Sequence, residues 1–445
     1  MKKLIKTHLW VLGILFSISL ILFFALPTLL STKKGTAYLL KDLEKRFGGN
    51  YEIDQLQFSW FGTQRAVGIK VHKDEKHLMA DEFTLNMSLL KFLKMRNYTL
   101  ELIYSGDLRI KNASFFLSSG SSITNLNLDG DSRTHTIHLT AKTKIDNEED
   151  GYIEVTGKQG DSLEWHGHVE RLPIGYVEFM HPGYPFIAII GNWANIILDC
   201  VDNRLNLSFN SPNLQFKTCG KLEDGVYFLL EPMTVYYTLN EASSDEIFKK
   251  CSVKPVSSEL IVGKIEPRNT YFSYYPFSVD AISISSMNWN LGKMIFRNFG
   301  TFSDILSVVK LEVRKNKDVP IWFQDLPLSV ERGVMTAKRT EMLIDNTYEL
   351  GFMGKVDFNT ETVDGNLILT AQVLRKVFHL KKIPSTYTVM MKTDGPYSDI
   401  KIHKSMALRE IGRVVITEKA NLPILPMPVV NPPPARQPVP WGNLQ

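Results

Sequence analysis

FTLNMSL, at residues 83–89, places an apolar side chain at every second position and a polar one between each pair. Successive side chains of a β-strand point to opposite faces of its sheet, so this alternation predicts a strand with one dry and one wet face. Turn residues such as Asp224 and Gly225 separate further runs of the same kind. The runs lie at Val67, Ile69 and Val71; Leu108 and Ile110; Ile137, Leu139 and Ala141; Ile153 and Val155; Leu205, Leu207 and Phe209; Val226, Phe228 and Leu230; Val235, Tyr237 and Leu239; Leu328 and Val330; Tyr348, Leu350 and Phe352; Leu367, Leu369, Ala371 and Val373; and Tyr387, Val389 and Met391. The sequence therefore predicts a mainly β fold with a long antiparallel sheet.

Helical patterns are few and short. Residues 36–47 carry Leu39, Leu43 and Phe47 on one face, and the glycines after them predict the end of a helix. Further short helices are predicted at residues 173–179, 291–309 and 406–416.

An uncharged run of 22 residues begins at Leu9 and ends at Leu30. As a helix it would measure ~33 Å, which is enough to cross a hydrocarbon core of ~30 Å. A cleaved signal peptide is the alternative, but its apolar region would be shorter, ~7–15 residues, with small residues at the cleavage site. Three lysines precede the run, and two on its C-terminal side weaken the charge bias. We expect a single anchor with the N-terminus inside and the bulk of the chain exported.

Composition and motifs exclude several classes of function. Charged residues make up 22% of the chain and apolar ones 44%, which is typical of a folded protein. The net charge of +4 comes without a clustered basic face, so the sequence predicts no nucleic-acid partner. There is no phosphate-binding loop, no Gly-x-Ser-x-Gly elbow and no His-Glu-x-x-His helix. His166 and His168 would share one face of a strand, but spacing indicates no third metal ligand. We therefore expect that the protein is not an enzyme and that it has no cofactor-binding or metal-binding site.

Two other features leave alternatives open. Cys200, Cys219 and Cys251 are too few for a disulfide framework, and three separate thiols are favoured over a bridge between the first two. Eight prolines come after residue 422, so that segment cannot join a sheet or continue a helix. We interpret it as a disordered tail, with a ligand for a proline-binding groove or a spacer as the alternatives.

The apolar face of the predicted sheet needs a cover, because large exposed apolar patches are rare on free-standing proteins. A second sheet, a helix or a ligand with its own apolar length would each serve. From the residues alone, a closed sandwich or barrel is favoured over an open groove.

Several segments resemble the AsmA-like family, single-span envelope proteins related to the TamB group. At the N-terminal side these are residues 47–71, 79–94 and 106–117. At the C-terminal side they are residues 325–373 and 387–403. In the latter the positions that match the family pattern are Gly354, Val356, Asp357 and Phe358; Glu361, Thr362, Val363 and Asp364; and Gly395 and Asp399. Residues 118–280 have no counterpart in the family pattern.

The resemblance implies an elongated, taco-shaped β-groove on the far side of a bacterial inner membrane. It implies phospholipid binding or transfer in support of outer-membrane lipid balance, without covalent chemistry. Groove-lining candidates are Leu85, Met87, Leu369 and Ala371. A scaffold that docks another envelope protein is the alternative function. The predicted regions are an anchor (1–32), an N-terminal AsmA-like region (33–117), a middle region (118–280), a C-terminal AsmA-like region (281–416) and the tail (417–445).

Overall fold

The structure, a computed structural model, describes residues 25–73, 76–89, 91, 107–117, 119–145, 148–159, 163–180, 185–274 and 277–424. The chain forms two compact units. The N-terminal unit comprises Met1–Pro182 and Asn192–Asp202, and the C-terminal unit comprises Gly183–Gly191 and Asn203–Gln445. Both units are mainly β with a few helices, as the alternation in the sequence predicts. The boundaries of the five predicted regions stay predictions.

The N-terminal unit is an antiparallel meander in which each strand pairs with the next one along the chain. Among the described residues, no pairing joins its first strand to its last, so this sheet does not close into a barrel. The strands are β1 Asn50–Gln57, β2 Gln64–Lys73, β3 Lys76–Leu85, β4 Leu108–Phe116, β5 Ser122–Asp131, β6 Thr136–Ile145, β7 Glu148–Gln159, β8 Leu163–Pro173 and β9 Trp193–Val201. The helices α1 Lys33–Phe47 and α2 Ile174–Met180 accompany them.

The C-terminal unit begins with strands β10 Arg204–Asn210, β11 Leu214–Glu223, β12 Val226–Leu229, β13 Met233–Thr238, β14 Pro255–Ser258, β15 Leu260–Ile265, β16 Tyr271–Tyr274 and β17 Phe277–Asn290. It continues with β18 Lys293–Arg297, β19 Asp318–Phe323, β20 Leu326–Glu331, β21 Val334–Ile344, β22 Tyr348–Asp357, β23 Thr362–Leu369, β24 Val389–Pro396 and β25 Lys401–His403. Its helices are α3 Phe186–Ile190, α4 Glu241–Ile247, α5 Thr301–Val308, α6 Ala371–Phe378 and α7 Lys404–Lys419.

The main sheet of the C-terminal unit runs in the order β10, β11, β13, β15, β17, β20, β21, β22, β23, β24, β25. It branches at β21, whose first half pairs with β20 and whose last residues pair with β19. Strands β18 and β14 continue this branch, and β12 and β16 lie between β11 and β17.

Three helices cover one part of the C-terminal sheet. Phe302 of α5, Leu374 of α6 and Ile411 of α7 pack with strand residues such as Leu350 and Leu369 in one core. Fully burying such a side chain contributes ~1.5–3 kcal/mol, so this helix-covered core contributes substantially to the stability of the unit.

Three predicted helices are confirmed. α1 begins after Thr32, whose side chain accepts the backbone N–H of Gly35, and ends at Gly48 with φ of 68°. The predicted helix at residues 173–179 corresponds to α2, and the one at 406–416 lies within α7.

The predicted helix at residues 291–309 is wrong over its first half. Lys293–Arg297 is β18, because Met294 and Phe296 bury the same face while β19 pairs alongside. The helix α5 starts only after Gly300, whose φ of 55° ends the extended segment. The spacing of the apolar residues fits both a helix and a strand, so it did not distinguish them here.

Five predicted strands are too long. Leu230, Leu239 and Tyr387 lie just outside β12, β13 and β24. In residues 367–373 the strand ends at Leu369, because the Thr370 side chain caps α6 at the N–H of Val373, 3.5 Å away. Ala371 and Val373 are therefore helical. In residues 83–89 the strand ends at Leu85, so Met87 lies beyond it.

Of the predicted membrane span, only residues 25–30 lie in the described part of the chain, and they are helical. None of the helices described is long and apolar enough to cross a bilayer. The rest of the predicted span, and residues 425–445 of the predicted tail, lie outside the described residues.

Candidate apolar binding face

One row of directly paired residues crosses every described strand of the N-terminal unit. Paired residues of antiparallel strands point to the same face, so the members of this N-terminal apolar row share one side of the sheet. In strand order they are Leu56, Ala66, Phe83, Ile110, Leu128, Leu139, Val155, Gly167 and Leu198.

The neighbouring residues form a polar row on the opposite face. Its members are Gln57, Arg65, Thr84, Arg109, Asp129, His138, Thr156, His166 and Asp199. The sheet is thus amphipathic across its full width, with an apolar and a polar residue adjacent on each strand.

The apolar row is only partly covered. Ala66 and Leu128 are buried, whereas Phe83, Leu139 and Val155 are half-buried, as are the other members with larger side chains. Eight strand spacings of ~4.8 Å give the row a length of about 38 Å. Helix α2 has seven residues, about 10 Å at 1.5 Å per residue, so it cannot cover the row.

Tyr176 of α2 covers one flank of this face. Its hydroxyl donates to the carbonyl of Phe115 and accepts from the N–H of Ile123, and its ring packs edge-on against the Phe115 ring. Burial raises the pKa of Tyr176, which keeps the phenol protonated. Ile123, Ala141 and Ile153 lie in the same cluster.

A tryptophan lies across a glycine in each unit. A Cβ added to Gly157 would come within 2.8 Å of three indole atoms of Trp165, its partner on β8. A Cβ added to Gly263 would come within 3.0 Å of the indole of Trp289 on β17. The missing side chains let both indoles lie close to the backbone of the sheet.

The C-terminal unit has a shorter apolar row of the same kind. It consists of Phe209, Phe216, Val235, Gly263, Trp289 and Leu326. Leu326 is buried and the other side chains are half-buried. The rings of Phe209 and Phe216 stack with centroids 5.3 Å apart.

The four groove-lining candidates predicted from the sequence are all buried by the chain's own atoms. Leu85 and Met87 are 5% and 4% exposed, and Gln64 donates to the Met87 carbonyl at 3.0 Å. Leu369 and Ala371 are 0% and 3% exposed inside the helix-covered core. The half-buried rows are instead made of residues that the alternation places in strands, such as Phe83 and Leu139. The members of each row are far apart in the sequence, and the pairing of the strands places them side by side.

Charged side chains on the polar face form ion pairs and hydrogen bonds with one another. Arg65, Lys111 and Thr84 all donate to the carboxylate of Glu82 and lower its pKa to about 2. His166 and His168 are both exposed on β8: His166 contacts Asp199 and His168 contacts Tyr152. The described residues contain no group of three side chains placed to hold a metal ion.

The three cysteines are free thiols, so the bridge between Cys200 and Cys219 is not formed. Burial raises the pKa of Cys200 and of Cys251. Neither thiol is thereby activated as a nucleophile.

No family model, curated protein or solved structure matches this chain. The resemblance to the AsmA-like family therefore stays a prediction from the sequence.

Proposed function

We propose that this chain is an envelope protein, anchored in a bacterial inner membrane, that binds phospholipid and passes it along the apolar faces of its sheets. The observation that carries the proposal is the N-terminal apolar row, continuous over nine strands and half-buried at most of its larger side chains. No covalent step is part of the proposed function.

The dimensions support an acyl ligand. The row measures about 38 Å, against ~30 Å for the hydrocarbon core of a bilayer, so the acyl chains of one phospholipid fit within it. Each methylene that leaves water contributes ~0.8 kcal/mol. An acyl chain also needs no hydrogen-bonding partners, and the row offers none from its side chains.

A comparison of the N-terminal apolar row with the helix-covered core also supports this location for lipid. Around Leu369 the apolar face is filled by α5, α6 and α7, so lipid would have to displace three helices there. At Leu139 and Val155 the face is half-buried. We therefore place the proposed lipid path on the two apolar rows rather than at the four candidates predicted from the sequence.

The test is site-specific photo-crosslinking of the full chain in cells. A benzophenone amino acid replaces Val155, on the apolar row, or Thr156, the adjacent residue on the polar row. We expect a phospholipid adduct, identified by mass spectrometry, at position 155 and little at position 156. Absence of an adduct at 155, or equal labelling at the two positions, would refute the proposal.

A further inference from the structure

The end of the predicted membrane span is tied to the N-terminal sheet at Ser31. The Ser31 hydroxyl donates to the carbonyl of Pro27 and accepts the N–H of Phe58, each at 2.7 Å. A Cβ added to Gly35, in the first turn of α1, would come within 2.7 Å of the Leu30 Cα, so α1 packs directly on the backbone that precedes it. Phe58 follows β1 directly, so these contacts, here called the joint, connect the end of the predicted span, α1 and β1.

One side of α1 carries a stripe of exposed basic residues around a tyrosine. This basic stripe consists of Lys34, Tyr38, Lys41 and Lys45. Residues three and four apart share a helix face, and the stripe is about 16 Å long. All four side chains are exposed, and Tyr38 is 73% exposed. Within the described part of the chain, none of the three lysines forms an ion pair, and the ion pair inside α1 joins Arg46 to Asp42 instead.

The basic stripe lies on the side of α1 that faces away from the protein. Leu39 and Leu43 lie on the other side of the helix and are half-buried, and α1 contacts β1. Just before the joint, Leu26 and Leu29 are 43% and 52% exposed. The exposed surface thus changes from apolar to basic within a few residues. A membrane changes in the same order, from its hydrocarbon core to its head groups.

We propose that the basic stripe rests on the phospholipid head groups of the membrane, with its lysines at the phosphates and Tyr38 at head-group level. Lysines that follow a span bind anionic lipid, and tyrosine is enriched at the interface between membrane and water. The inference rests on the membrane anchor of the proposed function and adds how the N-terminal unit meets the bilayer. Both surfaces of a bilayer carry phosphates, so the contact fits either direction of the span.

This contact would place the first strand of the N-terminal apolar row beside the bilayer. Leu56, the member of the row on β1, lies two residues before Phe58, about 7 Å along the chain. Because the joint ties Phe58 to the end of the predicted span, a phospholipid that leaves the bilayer there meets the row at its first strand. The basic stripe holds that strand in place.

Fluorescence quenching in lipid nanodiscs tests the contact with the full chain. Two chains, each also carrying Cys251→Ser to remove the native half-buried thiol, receive a fluorophore at Tyr38→Cys or at Tyr152→Cys, an exposed tyrosine of β7. The discs contain anionic phospholipid and a phospholipid with a nitroxide on its head group. We expect several-fold more quenching at residue 38 than at residue 152. Equal quenching at the two positions would overturn the proposal.

Charge removal tests the role of the lysines. Replacing the three lysines of the basic stripe by glutamine should lower the ratio of docked to undocked α1 on the order of 100-fold, since each lysine near an anionic surface contributes about fivefold. The quenching at residue 38 should then fall, while the thermal unfolding midpoint stays the same because all three side chains are exposed. The control, Lys315→Gln with Lys317→Gln and Lys338→Gln, removes the same charge from exposed positions elsewhere and should leave the quenching unchanged. Equal quenching in both variants would refute the contact.

The outcomes separate this contact from the proposed lipid path. A phospholipid adduct at position 155 without quenching at residue 38 would overturn the contact alone. Quenching at residue 38 without that adduct would support the contact and refute the lipid path. Cross-links from the basic stripe to an acidic protein in cells, without quenching in the discs, would assign the stripe to a protein partner instead. A chain that does not enter the discs would overturn the contact together with the proposed anchor.

Discussion

The glycine beneath the Trp165 indole provides a sensitive test of the apolar face. In Gly157→Ala the new Cβ would lie 2.8 Å from three ring atoms, whereas carbon atoms in favourable contact are ~3.5–4.0 Å apart. The indole must therefore move away from the sheet by at least about 0.7 Å. That movement carries it into the space that we assign to lipid.

A matched control lies on the next strand. Gly167 belongs to the N-terminal apolar row, and a Cβ added there would meet Val155 and Leu198 at 3.5 to 3.9 Å, which is ordinary contact. Neither glycine has a positive φ, so both alanine substitutions reduce the freedom of the unfolded chain without backbone strain. That effect stabilises by ~0.4–1 kcal/mol in both variants and cancels between them.

The difference in stability between Gly157→Ala and Gly167→Ala measures the cost of overpacking at Gly157. Forcing an extra methyl into a packed site costs ~1–3 kcal/mol, so we expect Gly157→Ala to be less stable than Gly167→Ala by about that amount. For a unit of this size the midpoint of thermal unfolding should differ by about 2 to 12 °C. Tryptophan fluorescence during heating measures the midpoint, and mass spectrometry measures phospholipid retained per folded chain.

We expect less retained phospholipid in Gly157→Ala than in Gly167→Ala. Equal midpoints in the two variants would show that the indole does not lie on the glycine. Unequal midpoints with equal lipid retention would instead contradict the assignment of this face to lipid.

Three other predictions concern the helix-covered core, the polar face and the C-terminal tail. Leu369→Ala should lower the free energy of unfolding of the C-terminal unit by ~2–5 kcal/mol, because the side chain is 0% exposed, and should leave phospholipid per folded chain unchanged; differential scanning calorimetry and lipid mass spectrometry check both parts. Glu82 has a pKa near 2 in the folded chain against 4.5 ordinarily, so the stability it contributes is complete above pH 4.5 and is lost as the pH falls towards 2. Glu82→Gln should flatten the pH dependence of the unfolding midpoint in that range, and a parallel curve would refute the role of Arg65 and Lys111. Removing residues 422–445 should leave lipid retention and growth intact, whereas loss of function with retained lipid would favour a scaffold that docks another envelope protein.

The sequence was sufficient for the type of fold but not for the position of the half-buried apolar rows. Period-two alternation predicted the strands around Phe83, Leu139 and Val155, and all three residues lie in strands. The alternation also predicted a strand at Ala371, where the Thr370 cap and a buried helical stripe prevail. Short apolar runs fit both the helical and the strand periodicity, so tertiary contacts decided which one forms at Ala371.

Register is the information that the sequence lacked. Leu139 and Leu369 look alike in the alternation, since each is an apolar residue with polar neighbours nearby in a strand. Which residues stand beside them across the sheet depends on turn geometry along the whole meander, and a slip of one residue would reverse the faces. The buried candidates were therefore as plausible as the half-buried ones until the pairs were known.

The apolar face around Leu369 is covered by the helices that follow its strands. β23 and β25 each lead into an amphipathic helix, α6 and α7, and the buried stripes of these helices fill the sheet behind them. In the described part of the N-terminal unit, the helix that directly follows β8 is the seven-residue α2. Under the proposed function, the half-buried face at Leu139 and Val155 is therefore a better location for lipid than the helix-covered core at Leu369.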